Sequence, residues 1–176
     1  MTDKIGIVGL GLIGGTLAKT IHRVYPDMEL IACDTNSDSL AMALKEGVIR
    51  QGFSQIDNRF SACRYIFLCA PVQKNESFLS ALAPFLNENC ILTDTGSVKS
   101  SIHEDMKRHG LAPFFIGGHP MAGSEKSGYE HATPYLFENA YYIITSDGDI
   151  SPALVEEYRN FIESLGCIPL LMSPQE

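Results

Sequence analysis

The segment Gly117-Gly118-His119-Pro120-Met121-Ala122-Gly123-Ser124-Glu125 places a histidine, a serine and a carboxylate in one glycine-rich stretch. It begins where an apolar run, Phe114 to Gly118, predicts the end of a β-strand. A neutral imidazole at the carboxyl end of a strand can accept the proton of a substrate hydroxyl while a hydride leaves the same carbon. We therefore predict that His119 is a catalytic base, although an isolated histidine is more often satisfied within a fold. The remaining histidines lack this setting, and we interpret them as surface residues: His22, His103, His109 and His131.

A second polar segment, Asp94-Thr95-Gly96-Ser97-Val98-Lys99, leaves a predicted strand at Cys90 to Asp94 and enters a helix that begins near Val98. This places Ser97 at or beside the N-cap of the helix. Serine at that position accepts a hydrogen bond from a free backbone N–H group. On residue type alone, capping is the favoured role for Ser97.

The third segment, Gly9-Leu10-Gly11-Leu12-Ile13-Gly14, directly follows an apolar run at Lys4 to Val8 and opens a helical pattern. Glycines at this spacing permit a tight turn, the close approach of a pyrophosphate and close packing of the helix on the sheet. Asp34 ends the next apolar run, where its carboxylate can accept hydrogen bonds from ribose hydroxyls. The Asp34 carboxylate would repel the 2′-phosphate of NADP, and neither Thr35 nor Asn36 is an arginine that could bind this phosphate. The pattern therefore predicts an NAD site that includes Thr35, the alternative being a turn that only joins a strand to a helix.

Composition excludes several other classes of protein. Of the 176 residues, 45% are hydrophobic and 19% are charged, which is typical of a globular domain. A net charge of −8 argues against a nucleic-acid partner, since such binding requires a basic surface. The apolar runs are too short to cross a membrane. The five cysteines form no metal-binding or disulfide pattern, so we expect reduced thiols in the core and no metal site. The sequence shows no signal peptide, and we therefore expect a cytoplasmic location.

The elements that would position these segments alternate between strand-like and helical patterns. Helical segments include Ser37 to Lys45, with Ser37 or Asp38 as its cap, and about Pro152 to Leu165, capped by Ser151. This order predicts an α/β fold with a doubly wound, mainly parallel sheet of the Rossmann type. In such sheets ligands bind at the carboxyl ends of the strands, where all three segments lie. The predicted strands are Lys4 to Val8, Glu29 to Cys33, Tyr65 to Ala70, Cys90 to Asp94, Phe114 to Gly118, Tyr141 to Thr145 and Cys167 to Met172.

The three segments together resemble the prephenate and arogenate dehydrogenase family. The glycine turn is shared by many dehydrogenases, but Asp94-Thr95-Gly96-Ser97-Val98-Lys99 followed by Gly118-His119-Pro120-Met121-Ala122-Gly123-Ser124-Glu125 is more specific. The resemblance runs from the first strand to the end of the chain. It implies NAD-dependent oxidative decarboxylation of prephenate to 4-hydroxyphenylpyruvate, in tyrosine biosynthesis.

The resemblance also implies roles for individual residues. His119 matches a catalytic histidine that hydrogen-bonds the ring hydroxyl, and Ser97 matches a serine that contacts the same hydroxyl and helps to place the histidine and the nicotinamide. Glu125 matches an acidic residue of an ionic gate near the mouth of the site, and we place Ser124 with it in the substrate-binding or gating set. Ala70-Pro71-Val72 matches a loop beside the cofactor, and we include Thr95 in the cofactor site.

Members of this family continue into a helical domain that forms a homodimer and supplies an arginine for a substrate carboxylate. We therefore expect residues 1–172 to form the dinucleotide-binding domain and residues 173–176 to begin the connection to a helical domain absent from this chain. Prephenate is a dianion, and Lys99 and Lys126 are the basic residues close to the motifs. We expect the isolated chain to bind NAD but to turn over little or no prephenate.

Two other functions remain open at this level. Another NAD dehydrogenase would share the glycine turn and Asp34 but would leave the His119 segment unexplained. A non-catalytic nucleotide-binding module would explain the first strand and helix without any chemistry. The sequence also does not distinguish prephenate from arogenate as the substrate.

Overall fold

Strands and helices alternate along most of the chain in the computed structural model, which describes residues 3–71 and 75–176. The strands of this described part are Lys4–Val8 (β1), Glu29–Cys33 (β2), Gln51–Phe53 (β3), Cys63–Leu68 (β4), Ile91–Asp94 (β5), Phe115–Pro120 (β6), Tyr141–Thr145 (β7) and Ile168–Met172 (β8). The α-helices are Leu12–Val24 (α1), Ser37–Lys45 (α2), Asn75–Leu82 (α3), Lys99–Arg108 (α4) and Pro152–Ser164 (α5). Short 3₁₀ helices occupy parts of the connections, including Asn58–Ala62 and Tyr129–His131.

The strands form one sheet in the order β3-β2-β1-β4-β5-β6-β7-β8. All neighbouring strands are parallel except β6 and β7, which are antiparallel. The chain builds outward from β1 to β3 and then crosses to β4 on the other side of β1. The carboxyl ends of β1 and β4 therefore flank the point at which the strand order reverses, where open α/β sheets bind ligands. The predicted doubly wound, mainly parallel α/β class is confirmed.

Apolar side chains cover both faces of this sheet, as the nearly continuous hydrophobic strands predict. On one face, Leu17 and Ile21 of α1 and Tyr158 and Ile162 of α5 pack in one buried cluster. On the other face, side chains of α3 and α4 pack in a second cluster. The strands are thus held between two helical layers, which fixes their carboxyl ends relative to one another. Among the described residues, no helix combines the length and the apolar character needed to span a bilayer.

Several local predictions are wrong. The sequence patterns did not predict β3, a strand of three residues at the edge of the sheet. Helix α2 is capped by Asn36, whose side chain accepts hydrogen bonds from Asp38 and Ser39, and not by Ser37 or Asp38. Strand β6 continues two residues beyond its predicted end at Gly118 because it pairs with β7, so His119 lies inside the strand.

Candidate active site

A cleft of about 550 Å³ opens above the carboxyl ends of β1, β2, β4 and β5. Its walls come from the glycine turn after β1, the end of β2, the residues after β4 and β5, and a segment that follows β6. The lining residues are Gly9, Gly11, Leu12, Ile13, Cys33, Asp34, Thr35, Ser54, Cys69, Ala70, Pro71, Phe78, Thr95, Gly96, Ser97, Lys126, Ser127 and Gly128.

Asp34 connects the glycine turn to the end of β2. One carboxylate oxygen accepts a hydrogen bond from the backbone N–H of Leu10 at 2.6 Å, and the other accepts one from Asn36 at 2.7 Å. Each carboxylate oxygen can accept a further bond. Asp34 can therefore hold the turn in place and still receive ribose hydroxyl groups from the cleft.

The glycine turn fits a pyrophosphate. A Cβ atom added to Gly14 would lie 1.9 Å from the carbonyl oxygen of Gly9, so Gly14 allows α1 to pack against the turn. A Cβ atom added to Gly11 would meet no atom within 4 Å, and Gly11 lines the cleft. The open space above Gly11, next to the first turn of α1, is where free N–H groups and the helix dipole favour a phosphate.

A second cavity, of about 270 Å³, adjoins the cleft, and the two share Ser97 in their walls. His119 lines this second cavity. Its Nδ1 atom lies 3.3 Å from the carbonyl oxygen of Thr95. Because a carbonyl oxygen only accepts hydrogen bonds, Nδ1 must donate, and in a neutral imidazole this leaves Nε2 without a proton. Thr95 also lines the cleft, so the residue whose carbonyl oxygen orients His119 is itself part of the wall of the cleft.

Ser97 does not cap α4. The N-cap position is held by Val98, and no side chain caps this helix. Within residues 3–71 and 75–176, the Ser97 hydroxyl has no hydrogen-bond partner, and the residue is exposed at the wall between the two cavities. The capping role favoured from residue type is therefore wrong, and the hydroxyl remains available to a ligand.

A buried ion pair joins the elements that carry these residues. Asp94, at the end of β5, is 4% exposed, and Lys99, in the first turn of α4, is 9% exposed. The Lys99 ammonium donates to both carboxylate oxygens of Asp94 and, at 2.7 Å, to the carbonyl oxygen of Gly118 in β6. Asp94 also accepts the backbone N–H groups of Gly96 and Gly118. Burial raises the pKa of Asp94 and lowers the pKa of Lys99, and their mutual attraction opposes both shifts.

This ion pair changes the electrostatics expected from the sequence. An ammonium group has three donors, and those of Lys99 are directed at Asp94 and Gly118. Lys99 therefore cannot serve as a free cation for a substrate, although it lines the second cavity.

His103, in the same helix as Lys99, is also buried and shares a hydrogen bond of 2.8 Å with the Thr145 hydroxyl, so its predicted surface position is wrong. Burial lowers the pKa of His103.

The structure brings only some of the predicted site residues to the walls of the two cavities. Leu10 and Gly14 are buried behind the turn and line neither cavity, and Val72 lies outside the described residues. Ser124 and Glu125 are exposed and border neither cavity within the described chain. Their gating role stays a prediction. The other predicted cofactor residues line the cleft: Gly9, Gly11, Leu12, Ile13, Asp34, Thr35, Ala70, Pro71 and Thr95.

Some lining residues were not predicted from the sequence. Ser54 follows β3, the strand that the sequence patterns missed. Cys69 borders the cleft as a half-buried thiol, and burial raises its pKa to about 12, so it is a neutral wall and not a nucleophile. Lys126, Ser127 and Gly128 reach the cleft from the segment after β6. Their only signal in the sequence is that they follow the His119 motif directly.

The fold and the two cavities define a dinucleotide-binding α/β domain whose cleft adjoins a cavity lined by a histidine that is held through Nδ1. Residues 17–168 match the family described as "Prephenate dehydrogenase, nucleotide-binding domain". The chain belongs to this family.

Individual relatives agree with this assignment. The chain is 33% identical over its whole length to the prephenate dehydrogenase of Bacillus subtilis, of which it covers 48%. A solved structure of prephenate dehydrogenase from A. aeolicus, in complex with hydroxyphenyl propionate and NAD⁺, superposes with a TM-score of 0.91 at 30% identity and covers 99% of this chain and 61% of that one. Synechocystis arogenate dehydrogenase superposes with a TM-score of 0.88 at 34% identity, covering 97% and 60%. The chain spans about half the length of the curated relatives it matches.

Two glycine substitutions should separate the binding role of the turn from its packing role. Gly11→Ala places a methyl group in the open cleft, so we expect the free energy of unfolding to change by less than about 1 kcal/mol and NAD affinity to fall at least about tenfold. Gly14→Ala should instead lower the free energy of unfolding by roughly 3 kcal/mol, because its Cβ would collide with Gly9. Urea denaturation and calorimetric titration with NAD measure the two effects. Full NAD affinity in Gly11→Ala would contradict this placement of the pyrophosphate.

Removal of Lys99 should test the buried ion pair. We expect Lys99→Met to lower the free energy of unfolding by about 3–5 kcal/mol, because it leaves the Asp94 carboxylate buried without its counter-charge. Loss of Lys99 also removes the interactions that oppose the raised pKa of Asp94. An acid with a raised pKa in the folded state takes up a proton on folding, so the variant should regain stability as the pH falls.

Urea denaturation at two pH values checks this prediction. The double variant Asp94→Asn with Lys99→Met should lose less stability than Lys99→Met alone, and exposed Lys45→Met serves as the control. Equal losses in the single and double variants would show that the charge of Asp94 is not the cause.

Proposed function

We propose that this chain is the NAD-binding part of a prephenate dehydrogenase, which oxidises and decarboxylates prephenate to 4-hydroxyphenylpyruvate in tyrosine biosynthesis. The observation that carries the proposal is the junction of the two cavities at Ser97. The cleft suited to a dinucleotide and the cavity containing His119 meet at this residue, and Thr95, which lines the cleft, contacts His119 through its carbonyl oxygen. A cofactor and a small substrate bound in the two cavities would therefore be neighbours.

The chain's own residues can supply the acid–base part of this reaction. Bound NAD would accept a hydride. His119, held by the Thr95 carbonyl through Nδ1, presents Nε2 to take the proton of the ring hydroxyl as the hydride leaves the same carbon. The proton can return to that oxygen once carbon dioxide has departed and the ring is aromatic. Ser97, whose hydroxyl has no partner among the described residues, can orient the hydroxyl group of the substrate.

The second cavity suits a small ring but lacks a free cation among the described residues that line it. Lys99 is paired with Asp94, and Glu176 adds a carboxylate to the wall. A dianion such as prephenate would need positive charge from elsewhere. We infer that a helical domain, which would also form a homodimer, supplies it in the whole protein. The lining does not favour prephenate over arogenate, and both names occur among the similar proteins.

We also propose a cytoplasmic location. The chain has five cysteines, and all are free thiols, four of them buried. Unpaired thiols suit a reducing compartment.

The isolated chain should separate cofactor binding from catalysis. We expect it to bind NAD in a calorimetric titration but to form little or no NADH from prephenate, because the described residues that line its second cavity offer no free positive charge. A chimera in which this chain replaces the matching half of the Bacillus subtilis relative should restore NADH formation. If the chimera binds NAD and remains inactive with both prephenate and arogenate, a non-catalytic nucleotide-binding module becomes the better assignment.

In that chimera, His119→Asn should abolish turnover and leave NAD affinity within about twofold of the parent, since asparagine cannot accept the hydroxyl proton. His131→Asn is the matched control, because His131 is exposed and borders neither cavity in the described structure. Both variants are compared by NADH formation and by NAD titration. Substantial turnover by His119→Asn would remove this residue from the role of base.

A further inference from the structure

The charges that border the dinucleotide cleft are few. Among the lining residues that the structure describes, Lys126 is the one lysine or arginine, and Asp34 is the one acid. The whole chain carries a net charge of −8. An incoming dinucleotide, with two phosphate groups, therefore meets a repulsive field and, among the described lining residues, one side-chain cation.

Lys126 stands on a segment that is anchored beside the glycine turn. Its backbone N–H donates to the Ser124 hydroxyl at 3.2 Å. Gly128 then adopts a φ of 95° and leads into Tyr129, which is fully buried. A Cβ atom added to Gly15 of α1 would lie 2.7 Å from the Tyr129 ring, so the ring packs directly on the helix that begins at the turn.

Polar contacts complete this anchor. The Tyr129 hydroxyl donates to the Glu46 carboxylate at 2.6 Å. The ammonium of Lys19, also in α1, lies over the Tyr129 ring and donates to the Ala132 carbonyl oxygen at 3.1 Å. The backbone after Lys126 is therefore fixed to α1, while the exposed Lys126 side chain remains free to adjust its reach over the cleft.

We propose that Lys126 is a cofactor-binding residue whose ammonium group pairs with the pyrophosphate of NAD in the cleft. This inference rests on the proposed NAD function. The glycine turn offers backbone N–H groups and the partial charge of a helix terminus, but no full charge. Lys99 cannot contribute one, because its donors are directed at Asp94 and Gly118. Among the described residues that line the cleft, Lys126 is the one that can supply a charge-assisted contact.

The test compares Lys126→Met with Lys45→Met, an exposed lysine that lines neither cavity. Each protein is titrated with NAD, with ADP-ribose and with adenosine, which lacks phosphate. We expect Lys126→Met to weaken NAD and ADP-ribose about tenfold and to leave adenosine binding unchanged, whereas Lys45→Met should behave as the parent. Lys126→Arg should retain most of the affinity. Equal urea midpoints for all variants show that the fold is intact.

Salt provides a second measurement. The affinity of the parent for NAD should fall more steeply with added NaCl than the affinity of Lys126→Met, since the screened charge is missing from the variant. If the parent binds NAD and Lys126→Met binds it within twofold with the same salt dependence, the inference is wrong and the proposed function stands. If the parent binds none of the three ligands, the proposed function fails, and this inference with it.

Discussion

The ion pair between Asp94 and Lys99 is the interaction on which the arrangement of the site depends. Two opposite charges are withdrawn from solvent at the carboxyl end of the sheet, which is favourable only when geometry and hydrogen bonds compensate for the lost hydration. The compensation comes from Gly96 and Gly118, the backbone groups that flank Ser97 and His119. The serine and the histidine are thus positioned relative to each other by two charges that are directed at each other and at the backbone.

This arrangement explains why the two cavities differ in charge. The lysine of the Ser97 segment is used to fix β5, α4 and β6 together, so it leaves the second cavity without a free cation in the described chain. The cofactor cleft retains Lys126 on a separately anchored segment. Under the proposed function, this domain binds the dinucleotide, and positive charge for an anionic substrate comes from another part of the protein.

The sequence predicted the parts of the fold that depend on local pattern. Strands β1, β2 and β7 begin and end where their apolar runs do, and the glycine turn and Asp34 meet at the cleft as expected. Features set by partners distant in the chain were missed. Strand β3 is too short to show a pattern, and His119 lies in a strand only because β7 pairs with β6. The burial of Lys99 and His103 also depends on contacts with β6 and β7, which residue types do not reveal.

The Ser97 segment shows how this limitation affects functional assignment. A serine beside a helix start is most simply explained as a cap, and that explanation removes any reason to assign it chemistry. In the structure Val98 takes the N-cap position, the contact of Lys99 with Asp94 joins the start of α4 to the end of β5, and the serine hydroxyl lies at the wall between the cavities. The buried pair therefore does two things at once. It fixes the start of α4 to the end of β5, and it positions Ser97, whose hydroxyl is not used as a cap, at the wall that the two cavities share in the described part of the chain.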